Sequence, residues 1–200
     1  MRRAVALAVV GFAFAGRDAA AQVRWDVGAG AGVAGRFVSL RPPGEGEPSA
    51  GPSFEAVGHV VIFPLVRVGA YVHVDESPLA TTDANVTRDV VAGGLDLRLV
   101  SPWPQGKTRV YLRAGIGEAD VVAPSHLTLD RVSIPSASGH FTEVPLALGI
   151  AYRPHPPFWL TAEAGARVGF AFGGGSYAAA TSLGDDVVAV YLHVGVMWGR

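Results

Sequence analysis

Apolar and polar residues alternate along most of this chain with a period of two, the signature of strands rather than helices. The closing stretch is the clearest example. Val188, Val190, Leu192, Val194, Val196 and Trp198 are apolar at every second position, and the residues between them, including Tyr191, His193 and Gly195, are mixed. In a β-strand this period sends the two sets to opposite faces. Seven earlier segments repeat it: Val23–Phe37, Phe54–Phe63, Leu65–Asp75, Thr87–Val100, Arg109–Glu118, His140–Arg153 and Phe158–Phe172. The pattern predicts eight strands.

The connections between these segments alternate in length. Arg41–Pro52, Glu76–Asn85, Ala119–Gly139 and Gly173–Asp185 are long, whereas Pro64, Ser101–Lys107 and Pro154–Pro157 are short and rich in turn residues. An even strand number places both chain ends on the short-turn side. Ahead of the strands, Met1-Arg2-Arg3 is basic, Ala4 to Ala15 is apolar, and Ala19-Ala20-Ala21 precedes Gln22. These are the three parts of a cleavable export signal, with an apolar core too short to cross a bilayer. The predicted organisation is a signal peptide over residues 1–21 and one strand domain over residues 22–200.

Composition then decides which face is which. Charged residues make up 16% of the chain, glycine accounts for 26 of 200 residues, and cysteine is absent. An exported chain without disulfides must draw its stability from burial or from a membrane. The net charge of -1 argues against a nucleic-acid partner. A soluble barrel would turn its apolar set inward and its polar set to water, and a membrane barrel inverts this. The polar set here mixes small residues with charges of both signs, and Lys107 is the only lysine, which is poor material for a water-facing surface. Aromatic residues gather near the segment ends: Trp25, Phe37, Phe54, Phe63, Trp103, Phe141, Tyr152, Phe158, Phe170, Phe172 and Trp198. Girdles of this kind mark the two headgroup levels of a membrane barrel. The fold expected is all-β, an eight-stranded antiparallel up-and-down transmembrane β-barrel.

In its signal peptide, alternating strands, loop asymmetry and closing strand, the chain resembles the small eight-stranded outer-membrane barrels of the OmpA/OmpX type. The terminal-strand pattern that the barrel-assembly machinery reads in that family is matched by Leu192, Val194, Val196 and Trp198; Gly199-Arg200 after the aromatic departs from it. The resemblance implies residence in the outer membrane of a Gram-negative bacterium and contact with its lipid. It carries no shared catalytic motif, no cofactor and no metal.

Chemistry-bearing residues fall mostly on the inward parity. Arg24, Asp26, Glu55, Arg67, Asp75, Asp96, Arg98, Arg109, Arg113, Glu118, Glu143, Arg153, Glu163 and Arg167 form a candidate lumen charge network. Read as a pore lining, it gives a narrow selective channel. Read as a plug, it gives salt bridges that close the barrel, which suits an eight-strand lumen filled by side chains. Gly30-Ala31-Gly32-Val33-Ala34-Gly35 fits the glycine pattern of dinucleotide sites, but it lies inside a strand with no helix to follow. His59, His73 and His193 share a face with Glu55 and Asp75, so a metal site could assemble across strands, though hydrogen-bonded lumen histidines are the simpler reading. Ser125-His126 and Ser138-Gly139-His140 are the pieces available to a lipid hydrolase, without a nucleophile elbow. The expected role is structural or loop-mediated, with narrow-pore transport as the alternative. A lipid A-modifying enzyme or a soluble lipocalin-like binding barrel comes behind both.

Overall fold

In the computed structural model, eight antiparallel strands close into a barrel in chain order. They are β1 (Trp25–Val38), β2 (Ala50–Phe63), β3 (Val66–Thr81), β4 (Ala84–Val100), β5 (Thr108–Val122), β6 (Gly139–His155), β7 (Phe158–Gly173) and β8 (Val187–Gly199). The structure describes residues 24–38, 50–81, 84–102, 106–122, 139–173 and 187–199. The expected signal over residues 1–21, Ser125-His126 and Ser138 lie outside these. β1 closes on β8 from Asp26↔Gly199 to Val38↔Val187. Closure pairs the backbone all the way round and leaves no edge, the condition for a sheet to stand in hydrocarbon.

The start of β1, the end of β8 and the strand ends joined by the three short connections lie at one end of the barrel, the turn end. At the opposite, loop end the strands run further than alternation indicates. β3 and β4 stay paired up to Thr81↔Ala84, so the expected connection Glu76–Asn85 is mostly a continuing hairpin. β5 carries on through Val122, and β2 begins at Ala50 rather than after Pro52. Above Ser53, β2 pairs with β1 alone, an edge position where a proline is tolerated. Alternation ends before the backbone ladder does, because a strand wetted on both faces has no reason to alternate.

The faces separate sharply. Leu95 is 65% exposed on the outside, whereas Arg113 is 2% exposed inside. Leu112, Leu148, Leu160, Val194 and Val196 continue the outer apolar belt around the wall. In water so large an apolar surface would be a liability, and in lipid it is the fitting one. Trp25 and Trp198 meet edge to face at 5.1 Å near the turn end, and Phe63, Tyr152 and Phe158 project outward at the same level. Phe141 departs from the expected girdle. It shares parity with Glu143 and is buried inside at 1% exposure.

Candidate functional site in the barrel interior

Seven strands send charged side chains into a lumen with room only for side chains. These groups join into one continuous ladder. From the loop end, Glu143 on β6 meets His73 on β3 at 2.6 Å, and His73 Nδ1 lies 3.4 Å from Asp75. Asp75 accepts from Arg167 on β7 at 2.8 Å, and Arg167 lies 3.7 Å from Glu55 on β2. Glu55 accepts from Arg113 on β5 at 2.6 Å, and Arg113 also donates through Nε to Asp96 on β4 at 2.6 Å. His59 on β2 then bridges Asp96, at 3.1 Å, to Asp26 on β1, at 2.8 Å, and Asp26 accepts from Arg67 at 2.5 Å. Glu163 on β7 joins from the side, accepting from Arg113 at 2.9 Å and from the Tyr191 hydroxyl at 2.8 Å. Burying one such charge alone would cost several kcal/mol, on the order of the penalty that only close, multiply bonded partners offset.

Three of the arginines are seated by one repeated device. Tyr111, Tyr71 and Tyr191 lie flat in the lumen, and the guanidiniums of Arg98, Arg113 and Arg167 sit over their rings at 4.3, 5.1 and 4.1 Å. Tyr111 lies opposite Gly149 on β6, and Tyr191 opposite Gly165 on β7. A Cβ added at Gly149 would run into the Tyr111 ring. The glycine therefore makes the space the ring occupies, and the ring makes the platform the arginine occupies. Gly149→Val should displace Tyr111 and lower stability by about 1–3 kcal/mol, the usual cost of overpacking. Gly58→Ala, whose added Cβ meets nothing nearer than Val27 at 3.8 Å, should be close to neutral. Urea titration followed by the heat-dependent shift in gel mobility measures both.

The predicted network residues do not all belong to this ladder. Glu118 is on the outer face, because Gly117 and Ala119 hold the inward parity there; it is exposed and accepts from Thr142 at 3.1 Å. Position 118 has the parity of Val110, Leu112, Ala114 and Ile116, so the alternation itself puts Glu118 outside and the inward expectation is corrected. Arg24 is exposed below β1. Arg109 and Arg153 point into the turn-end mouth and form no ion pair with a carboxylate among the described residues; each lies 5.0 Å from the ring of Trp159. Trp159 packs with Val100, Tyr111, Ala151 and Met197 into an apolar plug across that end. Trp159 is not among the residues singled out from the sequence, although its parity opposite that of Leu160 puts it inside. Beside Gly28 and Gly30, a cavity of about 30 Å³ bounded by Glu55, Arg98 and Glu163 has room for a water or two.

The three inward histidines are held by hydrogen bonds within the lumen rather than gathered around a common point. His59 and His73 are held as above, and His193 Nε2 lies 2.7 Å from the Ser53 hydroxyl. Ser53 gives its own proton to Asp75 at 2.5 Å, so His193 is the donor to Ser53. That polarity is the reverse of nucleophile activation, in which the imidazole accepts the serine proton. Among the described residues, no three histidine, aspartate or glutamate side chains converge as a metal site. Gly30, Gly32 and Gly35 are β1 residues paired to β2 and β8, with no helix to receive a phosphate. His140 is exposed on β6.

Among the described residues, the exposed charges of the outer surface above the belt at the loop end are acidic. Glu76, Glu118 and Asp120 are exposed there. Partial burial first, and the neighbouring Glu76 second, hold the Asp89 carboxyl above the usual carboxylate range.

No protein-family model matches the chain, and no curated protein matches its sequence. Solved structures do match its fold, which is that of the small eight-stranded outer-membrane β-barrels. Neisserial surface protein A superposes with a TM-score of 0.62 at 15% identity, over 87% of this chain and 96% of that one. Ail, the attachment invasion locus protein of Yersinia pestis, solved with the heparin analogue sucrose octasulfate, gives 0.54 at 12% identity, over 89% and 99%. The outer membrane protein OprG from Pseudomonas aeruginosa gives 0.52 at 9% identity, over 89% and 96%.

Proposed function

We propose that this chain is an integral protein of the Gram-negative outer membrane, exported on residues 1–21, whose closed barrel serves as a rigid membrane-anchored mount for the segments at its loop end. The observation that carries this reading is the unbroken charge ladder, backed by the Trp159 plug, inside a wall that is apolar on its outer side. A lumen so filled leaves water-sized space, not a solute path. Purified protein in planar bilayers should therefore show no steady single-channel conductance. Discrete, reproducible openings would overturn the closed reading in favour of a narrow pore.

The interaction role rests on the loop end. Ail is crystallised with a polysulfated ligand, but the described loop-end surface here carries Glu76, Glu118 and Asp120. Its charge complements a cationic partner rather than a polyanion. The assembly signal Leu192, Val194, Val196 and Trp198 belongs to the same proposal. All four side chains face outward on β8, and Trp198 meets Trp25 across the seam. Trp198→Ala should lower the amount of heat-modifiable barrel recovered from outer membranes several-fold, with little change in the stability of the fraction that assembles. Equal loss of stability would assign Trp198 to packing alone.

A further inference from the structure

The turn-end mouth holds two guanidiniums that the ladder does not use. Arg109 on β5 lies opposite Ala151 on β6, and Arg153 is two residues further along β6, so the two are diagonal neighbours on the inward face. Each stacks against the same buried indole, that of Trp159, at 5.0 Å. Stacking engages the face of a guanidinium and leaves its edge, with the N–H donors, free. Both are half-buried, and neither makes an ion pair or hydrogen bond with a described side chain. The nearest inward carboxylate at this end, Asp26, is already held by Arg67 at 2.5 Å and His59 at 2.8 Å. Lys107, which reaches the Pro154 carbonyl at 3.5 Å, and the exposed Arg24 add positive charge at the same end. The exposed carboxylates Glu76, Glu118 and Asp120 are all at the other.

We propose that this mouth is an anion site, in which Arg109 and Arg153, held in place by Trp159, bind a phosphate or carboxylate group entering from the aqueous phase. An unpaired pair of planar forks is suited to oxyanions, which accept two parallel hydrogen bonds from each. Inward parity sets the source. The side chains lie on the inward face at the barrel end and not on the outer wall, so a soluble anion reaches them more directly than a lipid headgroup does. Because Trp159 and the apolar plug lie behind the site, the anion binds at the mouth without passing through.

The test is a titration of the whole barrel in uncharged maltoside micelles with inorganic phosphate, read from the arginine Nε–H and Trp159 indole N–H resonances. Saturable shifts confined to Arg109, Arg153 and Trp159 are expected. Arg109→Gln or Arg153→Gln should weaken the apparent affinity about tenfold or more, whereas Arg24→Gln and Lys107→Gln should change it less than about threefold. Arg153→Lys, which keeps the charge and loses the fork, should not restore it. Both arginines lie at a barrel end, outside the charge ladder, and retained gel heat-modifiability verifies that each variant is folded. Shifts spread evenly over all exposed cations, or an affinity indifferent to both glutamine variants, would overturn the site. In a second arm the micelles are doped with phosphatidylglycerol. Shifts that appear only there, with none from inorganic phosphate, would assign the anion to lipid and overturn an aqueous source.

Discussion

Arg113→Met should be the most damaging single substitution in the lumen, lowering the stability of the folded barrel by about 3–5 kcal/mol, the range for removing one partner of a buried charge cluster. Arg113 is the branch point of the ladder. It donates to Asp96 and Glu55 at 2.6 Å and to Glu163 at 2.9 Å, and its guanidinium rests on Tyr71 at 5.1 Å. Methionine matches much of its volume, so the loss would come from carboxylates left without a cation in a low-dielectric interior rather than from a void. Lysine should recover only part of it. An ammonium is a single point charge and cannot address three carboxylates along separate directions from a planar fork. Unfolding in urea from lipid vesicles, followed by gel mobility, gives the difference. A loss below about 1 kcal/mol would mean that water reaches and screens these groups, and the closed-lumen reading would fail with it.

Leu95→Arg is expected to cost about 2–4 kcal/mol, the measured range for arginine at the midplane of a lipid-facing barrel wall. Leu95 is the middle of the outward run on β4, between Val91 and Leu99, and is 65% exposed. A water-soluble barrel would accept arginine at so exposed a position with almost no penalty. The same substitution therefore separates the two environments by the size of its effect, and Leu95→Ala controls for lost apolar area. Refolding into vesicles and in micelles should both show the deficit. Indifference in vesicles would remove the membrane reading whatever the fold.

The wall of the barrel was legible from the chain, and the interior much less so. Period two has to persist wherever one face meets lipid and the other meets packed side chains, so Leu160, Ala162, Ala164 and Ala166 against Glu163, Gly165 and Arg167 read directly as out and in. The reading failed where that contrast fades. At the loop end both faces are wetted, so Glu76 to Asn85 looked like a connection although the ladder runs on to Thr81↔Ala84. Glu118 is a different case: it shares the parity of outward-facing Ile116, so grouping it with the inward charges follows its charge and not the alternation. Phe141 fits a girdle by its place near a strand end, yet it is buried in the lumen, because nearness to a strand end does not fix the face.

What the sequence by itself determined is the strand number, the faces, the loop asymmetry and the set of charges that share the interior. Each is a local property, carried by residues one or two positions apart. Only the tertiary structure decided who pairs with whom. Asp75 and Arg167 are far apart in the chain yet 2.8 Å apart in the lumen, and Arg98, Arg113 and Arg167 depend on tyrosines and glycines of neighbouring strands. Those partnerships follow from the register in which β1 to β8 close and from how far each side chain reaches across a narrow barrel. Alternation is blind to both: a register slip of two residues preserves every inward and outward assignment while changing every partner.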